Sequence, residues 1–189
     1  MDLNIRIAGE AGQGIATTGD LLVEAFAAMG LYVFSTQSYM SRIRGGLNWY
    51  DVRIADERIN SGREQADLLV ALSAEALTTL RPQVAQGGVI LFDGDEADDD
   101  ALAINFTRIA KEEGGAEVMA NAVAAGAVFS LLCYDLAPLT DLLAETFSKK
   151  GEQVVATNQA LARRGAELGA RHQGCLTAPA PAGAPRTVY

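Results

Sequence analysis

Positions 3–8, Leu-Asn-Ile-Arg-Ile-Ala, alternate apolar and polar and then run into glycines at 9, 12 and 14. Period-two alternation that ends in glycine predicts a first strand entering a turn. Between 17 and 29 the period lengthens: Leu21, Leu22, Ala25, Phe26 and Met29 share one helical face, and Gly30 stands where a C-terminal cap belongs. Residues 31–35 are β-branched and aromatic, which completes a β–α–β unit over 3–35, and such units are right-handed with parallel strands. Residues 47–54 alternate again, 55–58 read as a turn and 59–61 as a return, which together predict a hairpin.

Further along, 67–72 is a short continuous apolar run of the kind buried on both faces of a sheet. Ser73 is placed to cap a helix starting at Ala74, with Pro82 near its end. Gly87-Gly88 leads into a second buried run at 89–92. Residues 106–113 predict a short helix, 121–134 a buried one, and 139–150 and 152–168 amphipathic ones. The Ala-, Pro- and Gly-dominated stretch from Thr177 onward has the composition of a linker. Strands that alternate with helices predict a three-layer α/β fold, Rossmann-like, with a mainly parallel sheet and one antiparallel hairpin.

Composition narrows the function classes. The 189 residues are 49% hydrophobic, more apolar than an isolated domain of this size needs, which points to surfaces covered by partners. A formal charge of −9 removes the electrostatic basis for sequence-independent binding to nucleic acid or an anionic membrane. The two cysteines, Cys133 and Cys175, form no CxxC pair, so the chain cannot by itself assemble a zinc site or an iron–sulfur cluster. Cys133, in an apolar helical run, is expected in the core. A single histidine, His172, argues against a His-based metal site and against an intrachain Ser-His-Asp relay. The acidic run at 95–100 lacks the glycine and terminal glutamate of an EF-hand and reads as a solvated loop. The N-terminus has no signal-peptide character, and the longest apolar stretch, 122–134, is too short to span a bilayer, so a cytoplasmic location without membrane contact is expected.

Two segments carry candidate chemistry. A glycine turn between a strand and a helix exposes N–H groups at a positive helix end, which suits phosphate or carboxylate oxygens. Gly9-x-x-Gly12-x-Gly14 has neither the G-x-G of a dinucleotide fingerprint nor the G-K-[ST] of a P-loop, so spacing alone slightly favours a tight bend for close packing. Residues 36–46 are polar, basic and glycine-terminated inside an acidic chain. Arg42 and Arg44, followed by Gly45-Gly46, can offer guanidinium forks to a phosphate-rich ligand or pair with carboxylates of this chain or a neighbour. Both segments follow strands of one predicted sheet, and ligands of open α/β sheets gather beyond the carboxyl ends of strands.

"GEAGQGI" at 9–15, "SRIRGG" at 41–46 and "FSKKGEQVVATNQALARRG" at 147–165, in that order, resemble the gamma domain of 2-oxoacid:ferredoxin oxidoreductases over roughly residues 3–170. The form is most similar to the version fused ahead of the pyrimidine-binding domain in 2-oxoglutarate:ferredoxin oxidoreductase alpha subunits. The resemblance implies a gamma domain over 1–172 and a linker or tail over 173–189. It implies a part in the oxidative decarboxylation of a 2-oxoacid, 2-oxoglutarate foremost, to acyl-CoA, carbon dioxide and reduced ferredoxin. Coenzyme A would be bound partly on this chain, at Gly9, Gly12, Gln13, Gly14, Ser41, Arg44, Gly45, Gly46 and Asn121, with no catalytic residue and no metal ligand here. Thiamine diphosphate, magnesium and iron–sulfur clusters would sit on thiamine-binding alpha and beta partners, with ferredoxin reached through the complex. Many gamma domains read G-x-G-G-Q-G, whereas position 11 here is Ala, whose methyl narrows the approach to the backbone. Two other roles fit the same residues: a purely assembly domain of such a complex, or the equivalent subunit of an indolepyruvate oxidoreductase. A self-sufficient nucleotide-binding oxidoreductase is disfavoured by the broken fingerprint.

Overall fold

The computed structural model describes residues 1–39, 46–172 and 176–185. By internal contacts the chain divides into two units, Met1–Ile104 with the segment from Ala178 onward, and Asn105–Thr177. The first unit is built on β1 (Asp2–Glu10), α1 (Ile15–Ala28), β2 (Tyr32–Tyr39), β3 (Leu47–Ala55), β4 (Ala66–Ala71), α2 (Ala74–Leu80), β5 (Val84–Phe92) and β6 (Ala101–Ala103). These six strands make one mixed sheet in the order β2-β3-β1-β4-β5-β6. The α/β class expected from the sequence is therefore the observed one.

The parallel half is β1, β4, β5 and β6. β3 runs antiparallel to both β1 and β2, with Asp2 opposite Ala55 and Glu10 opposite Leu47. This bears out one expectation and corrects another. β1 and β2 do run the same way on either side of α1, but β3 lies between them. The return strand read at 59–61 does not form: the antiparallel partner of β3 on its outer side is β2, which precedes it, and 56–65 is irregular. β2 also extends to Tyr39, four residues beyond the predicted end, because Ser35, Thr36, Gln37 and Ser38 find ladder partners in Val52, Asp51, Tyr50 and Trp49.

The two faces of this sheet are covered by different helices. Tyr50, on the same face as Ile7, lies under Gly19 of α1, where an added Cβ would come within 2.6 Å of the ring. The Tyr50 hydroxyl donates to Asp20 Oδ1 at 3.0 Å, which ties α1 to β3. On the opposite face Ala8, Leu69, Ala71 and Ile90 pack with Ala76 and Leu80 of α2. That face also carries polar residues of β1 and β3. Arg6 makes a two-pronged ion pair with Asp51, at 2.8 and 3.1 Å, and donates to the Glu64 carbonyl at 3.0 Å and to Gln83 Oε1, with its guanidinium 5.5 Å from the centre of the Trp49 ring. Arg6 is only 4% exposed, so the polar positions of β1 are buried like its apolar ones.

The Ala- and Pro-rich segment packs on the first unit over its described residues. Pro179 is buried, and the Gly183 N–H donates to the Met29 carbonyl at the end of α1 at 3.0 Å.

The second unit holds α3 (Phe106–Glu112), α4 (Ala120–Leu131), α5 (Ala137–Phe147) and α6 (Glu152–Gly169). α4 is buried from Asn121 to Leu131 and packs on α6 at backbone contact: a Cβ on Gly126 would meet the Ala162 carbonyl oxygen at 2.0 Å, and one on Gly165 the Val123 carbonyl oxygen at 2.0 Å. Small residues on both helices permit that approach. Cys133 is a correction. It is exposed with φ 57°, because α4 ends at Leu131 and the chain turns out of the core through a left-handed residue there. Among the described residues no single helix is long and apolar enough to cross a membrane.

Candidate functional site: the crevice at the end of β1 and β4

β1 and β4 are parallel neighbours, yet their chains leave the sheet in opposite directions, β1 into α1 on one face and β4 into α2 on the other. The strand ends are still held together at their last rung, where the Leu72 N–H donates to the Ala8 carbonyl at 2.7 Å. Beyond that rung the two connections diverge and leave a crevice, the place where open α/β sheets bind ligands.

The glycine turn forms one wall. Gly14, at φ 80° and ψ 19°, is the N-cap of α1, and a left-handed residue there accommodates the reversal from turn to helix. It supplies no side-chain cap, and the first turn of α1 has no acidic residue, so the leading N–H groups of a fourteen-residue helix keep their partial positive charge. Gly12 has φ 103° and is exposed, and a Cβ built on it would meet nothing within 4 Å. Ala11 is exposed as well. Thr18, one turn into α1, is fully buried and its Oγ1 has no hydrogen-bond partner among the described residues. The other wall is closed: Ser73 caps α2 by accepting from the Ala76 N–H at 3.2 Å, and Glu75 lies in its first turn.

The floor is Gln13. Its Oε1 accepts from the Glu10 N–H at 2.6 Å, its Nε2 donates to the Leu72 carbonyl at 3.2 Å, and its own N–H donates to the Glu10 carbonyl at 3.1 Å. Gly9 is small for this reason: a Cβ there would sit 2.5 Å from Gln13 Oε1 and 3.0 Å from Leu72 Cβ.

Of the expected site residues, Gly9, Gly12, Gln13 and Gly14 are thus together at this turn. Gly46 joins them, because Leu47 pairs with Glu10 and the residue before it lies just past the end of β1. Tyr39 of β2, opposite Asn48, reaches the same end. Ser41, Arg44 and Gly45, with Arg42, lie outside the described residues. Asn121 is buried in the first turn of α4, in the second unit. Two participants were not foreseen. Leu72 contributes only its carbonyl, which no side-chain pattern announces, and Ser73 was read as a cap but not as a wall of this crevice. Among the described residues no group of three His, Cys, Asp or Glu is placed to hold a metal ion.

A six-stranded mixed sheet with helices on both faces and a crevice beyond β1 and β4 defines an α/β protein. Its family follows from comparison. Residues 4–168 match the pyruvate ferredoxin/flavodoxin oxidoreductase family, and the chain belongs to it. It is 33% identical over 172 residues to 2-oxoglutarate synthase subunit KorC of Archaeoglobus fulgidus, covering 90% of this chain and 89% of that one. Among solved structures, the 2-oxoglutarate:ferredoxin oxidoreductase from Magnetococcus marinus with 2-oxoglutarate, coenzyme A and succinyl-CoA bound superposes with a TM-score of 0.82 at 30% identity. That match covers 96% of this chain but 33% of the Magnetococcus chain. The gamma subunit of a keto/oxoacid ferredoxin oxidoreductase from Geobacter sulfurreducens gives a TM-score of 0.72 at 28% identity, over 88% of this chain and 98% of that one. The chain thus has the fold of these gamma subunits, and its relatives are parts of oxidoreductase complexes.

Proposed function

We propose that this chain is the gamma subunit of a 2-oxoacid:ferredoxin oxidoreductase and that the crevice beyond β1 and β4 holds part of coenzyme A, including at least one of its phosphates. The observation that carries the reading is the β1–β3 register. It brings Gly46, the end of the basic segment, beside the glycine turn and the uncapped N-terminus of α1, so two segments separated by some thirty residues of sequence meet at one anion-suited place. A phosphate there would accept from main-chain N–H groups of α1, and Arg44 would supply a charge-assisted partner. The open space at Gly12 allows a bulky ligand to approach the backbone, and the orphaned Thr18 hydroxyl is a spare polar group in the same helix turn.

The 2-oxoacid is 2-oxoglutarate in this reading, supported by the similarity to a 2-oxoglutarate synthase subunit over nine-tenths of both chains. Thiamine-binding alpha and beta partners would carry thiamine diphosphate with magnesium, together with iron–sulfur clusters, and would pass electrons to ferredoxin. This chain orients and covers the acyl acceptor, and alone it is inert.

Titration of coenzyme A into the complex assembled with its partner subunits tests this. Arg44→Ala is expected to weaken coenzyme A by about tenfold, the loss of one charge-assisted contact of roughly 1.5 kcal/mol or more, with subunit association intact. If affinity is unchanged while the subunits dissociate more readily, the basic segment serves assembly, and the reading of this chain as a structural member of the complex replaces ours.

A further inference from the structure

Gln13 lies in the crevice where a ligand amide contact would be expected, yet both ends of its carboxamide are already used. Its carbonyl is committed to the Glu10 N–H and its amino group to the Leu72 carbonyl. The two partners belong to different strand ends: Glu10 closes β1, which departs toward α1, and Leu72 follows β4, which departs toward α2. The side chain therefore bridges the two connections where they diverge, just past the last rung of the ladder between them. Gly9 is shaped around it, since any side chain at 9 would displace Gln13 Oε1. The main-chain bond from Gln13 N–H to the Glu10 carbonyl completes a closed turn that delivers Gly14 to the head of α1.

We propose that Gln13 is a positioning residue: its carboxamide latches the ends of β1 and β4, which fixes the width of the crevice and the direction of the α1 N-terminus, and it makes no contact of its own with the coenzyme. This rests on the coenzyme reading above for its functional consequence but not for the latch itself. Shortening or deleting the carboxamide frees the Glu10 N–H and the Leu72 carbonyl and lets the turn swing relative to β4. The ligand then meets N–H groups that are no longer preorganised, and affinity falls although no ligand contact has been removed. Glutamate is the discriminating replacement. Ionised, it can accept from Glu10 but repels the Leu72 carbonyl; protonated, it can donate to that carbonyl and restore the bridge.

Two measurements test the latch. Amide hydrogen exchange on the full chain without ligand reads the Glu10 N–H directly: it is expected to be protected in the wild type, and to exchange about tenfold faster in Gln13→Ala, the loss of one net hydrogen bond. In the assembled complex, Gln13→Ala is expected to raise the KM for coenzyme A about tenfold with the KM for the 2-oxoacid unchanged, and Gln13→Glu to approach the wild type as pH is lowered below neutrality. The wild-type exchange experiment remains decisive if Gln13→Ala does not fold. A Glu10 amide that is unprotected in the free chain, or gains protection only when coenzyme A is added, overturns the proposal. So does a coenzyme KM that stays put in Gln13→Ala while Arg44→Ala weakens binding. If neither variant affects coenzyme A but Glu10 loses protection in Gln13→Ala, the latch stands as a structural device and it is the coenzyme reading that falls.

Discussion

Arg6 shows how much a single position can conceal. In the alternating pattern of residues 3–8 it occupies a polar slot, which on a half-covered sheet would face water. Instead it is buried against Asp51, Gln83 and the Glu64 carbonyl, and Trp49 lies beside it. A buried guanidinium with its bonds satisfied costs little net stability, but either partner left alone is expensive. Arg6→Met is therefore expected to cost about 3–5 kcal/mol in urea unfolding, and Arg6→Met with Asp51→Leu distinctly less than the two single losses combined. Tyr50 gives a second test. Burial pushes its phenol above the ordinary value of 10.0, so above pH 10 the unfolded chain releases a proton that the folded chain retains. Stability should decline as pH rises past 10, and Tyr50→Phe should flatten that decline while losing the bond to Asp20. Urea midpoints at pH 9 and at 10.5 for both proteins would show it. The glycine turn was legible from residue type alone, since only glycines after a strand suit such a turn. The role of Gln13 was not, because one of its partners is a main-chain carbonyl 59 residues away.

The elements were legible where periodicity was long and failed where pairing decided. α1, α2, α4, α5 and α6 lie close to where apolar spacing, caps and glycines put them. The hairpin failed because Ile59-Asn60-Ser61 follows a turn but pairs with no strand, whereas Ser35, Thr36, Gln37 and Ser38 read as polar and still find the edge of β3. β6 was missed because three residues are too few to carry a period. Cys133 shows a related limit: an apolar run does not say where its helix stops. The contact of α4 with α6 makes the strongest element-scale prediction. Helix propensity alone would favour Gly165→Ala by up to about 1 kcal/mol. The added methyl, however, would sit 2.0 Å from the Val123 carbonyl oxygen, with backbone on both sides of the contact. Separating the helices should win, with a net loss of about 2–3 kcal/mol and a clearly lower Tm by thermal unfolding. A Tm equal to or above that of the wild type would mean that the helices are not in backbone contact.

At the scale of the molecule, the fold does three things for the site. Its strand order places β1 and β4 side by side with helices on opposite faces, its β1–β3 register returns Gly46 to the glycine turn, and the glycine that ends the turn after β1 leaves the N-terminus of α1 without a side-chain cap. The strand order and the register are not visible in a linear reading, which could note only that both segments follow strands and that the glycine turn opens a helix. On the coenzyme reading proposed above, a chain with a charge of −9 would hold a polyanion through a local positive potential, that of the main-chain N–H groups at the head of α1. That claim is tested most directly at Gly14, whose left-handed conformation Asn and Asp tolerate better than other side chains. Coenzyme A should be titrated calorimetrically into the assembled complex carrying Gly14→Asn and Gly14→Asp. Aspartate, which would put a carboxylate where the proposed phosphate sits, is expected to raise the Kd at least about tenfold over asparagine, a difference of ~1.4 kcal/mol that shrinks with added salt. Equal affinities in the two variants would contradict it.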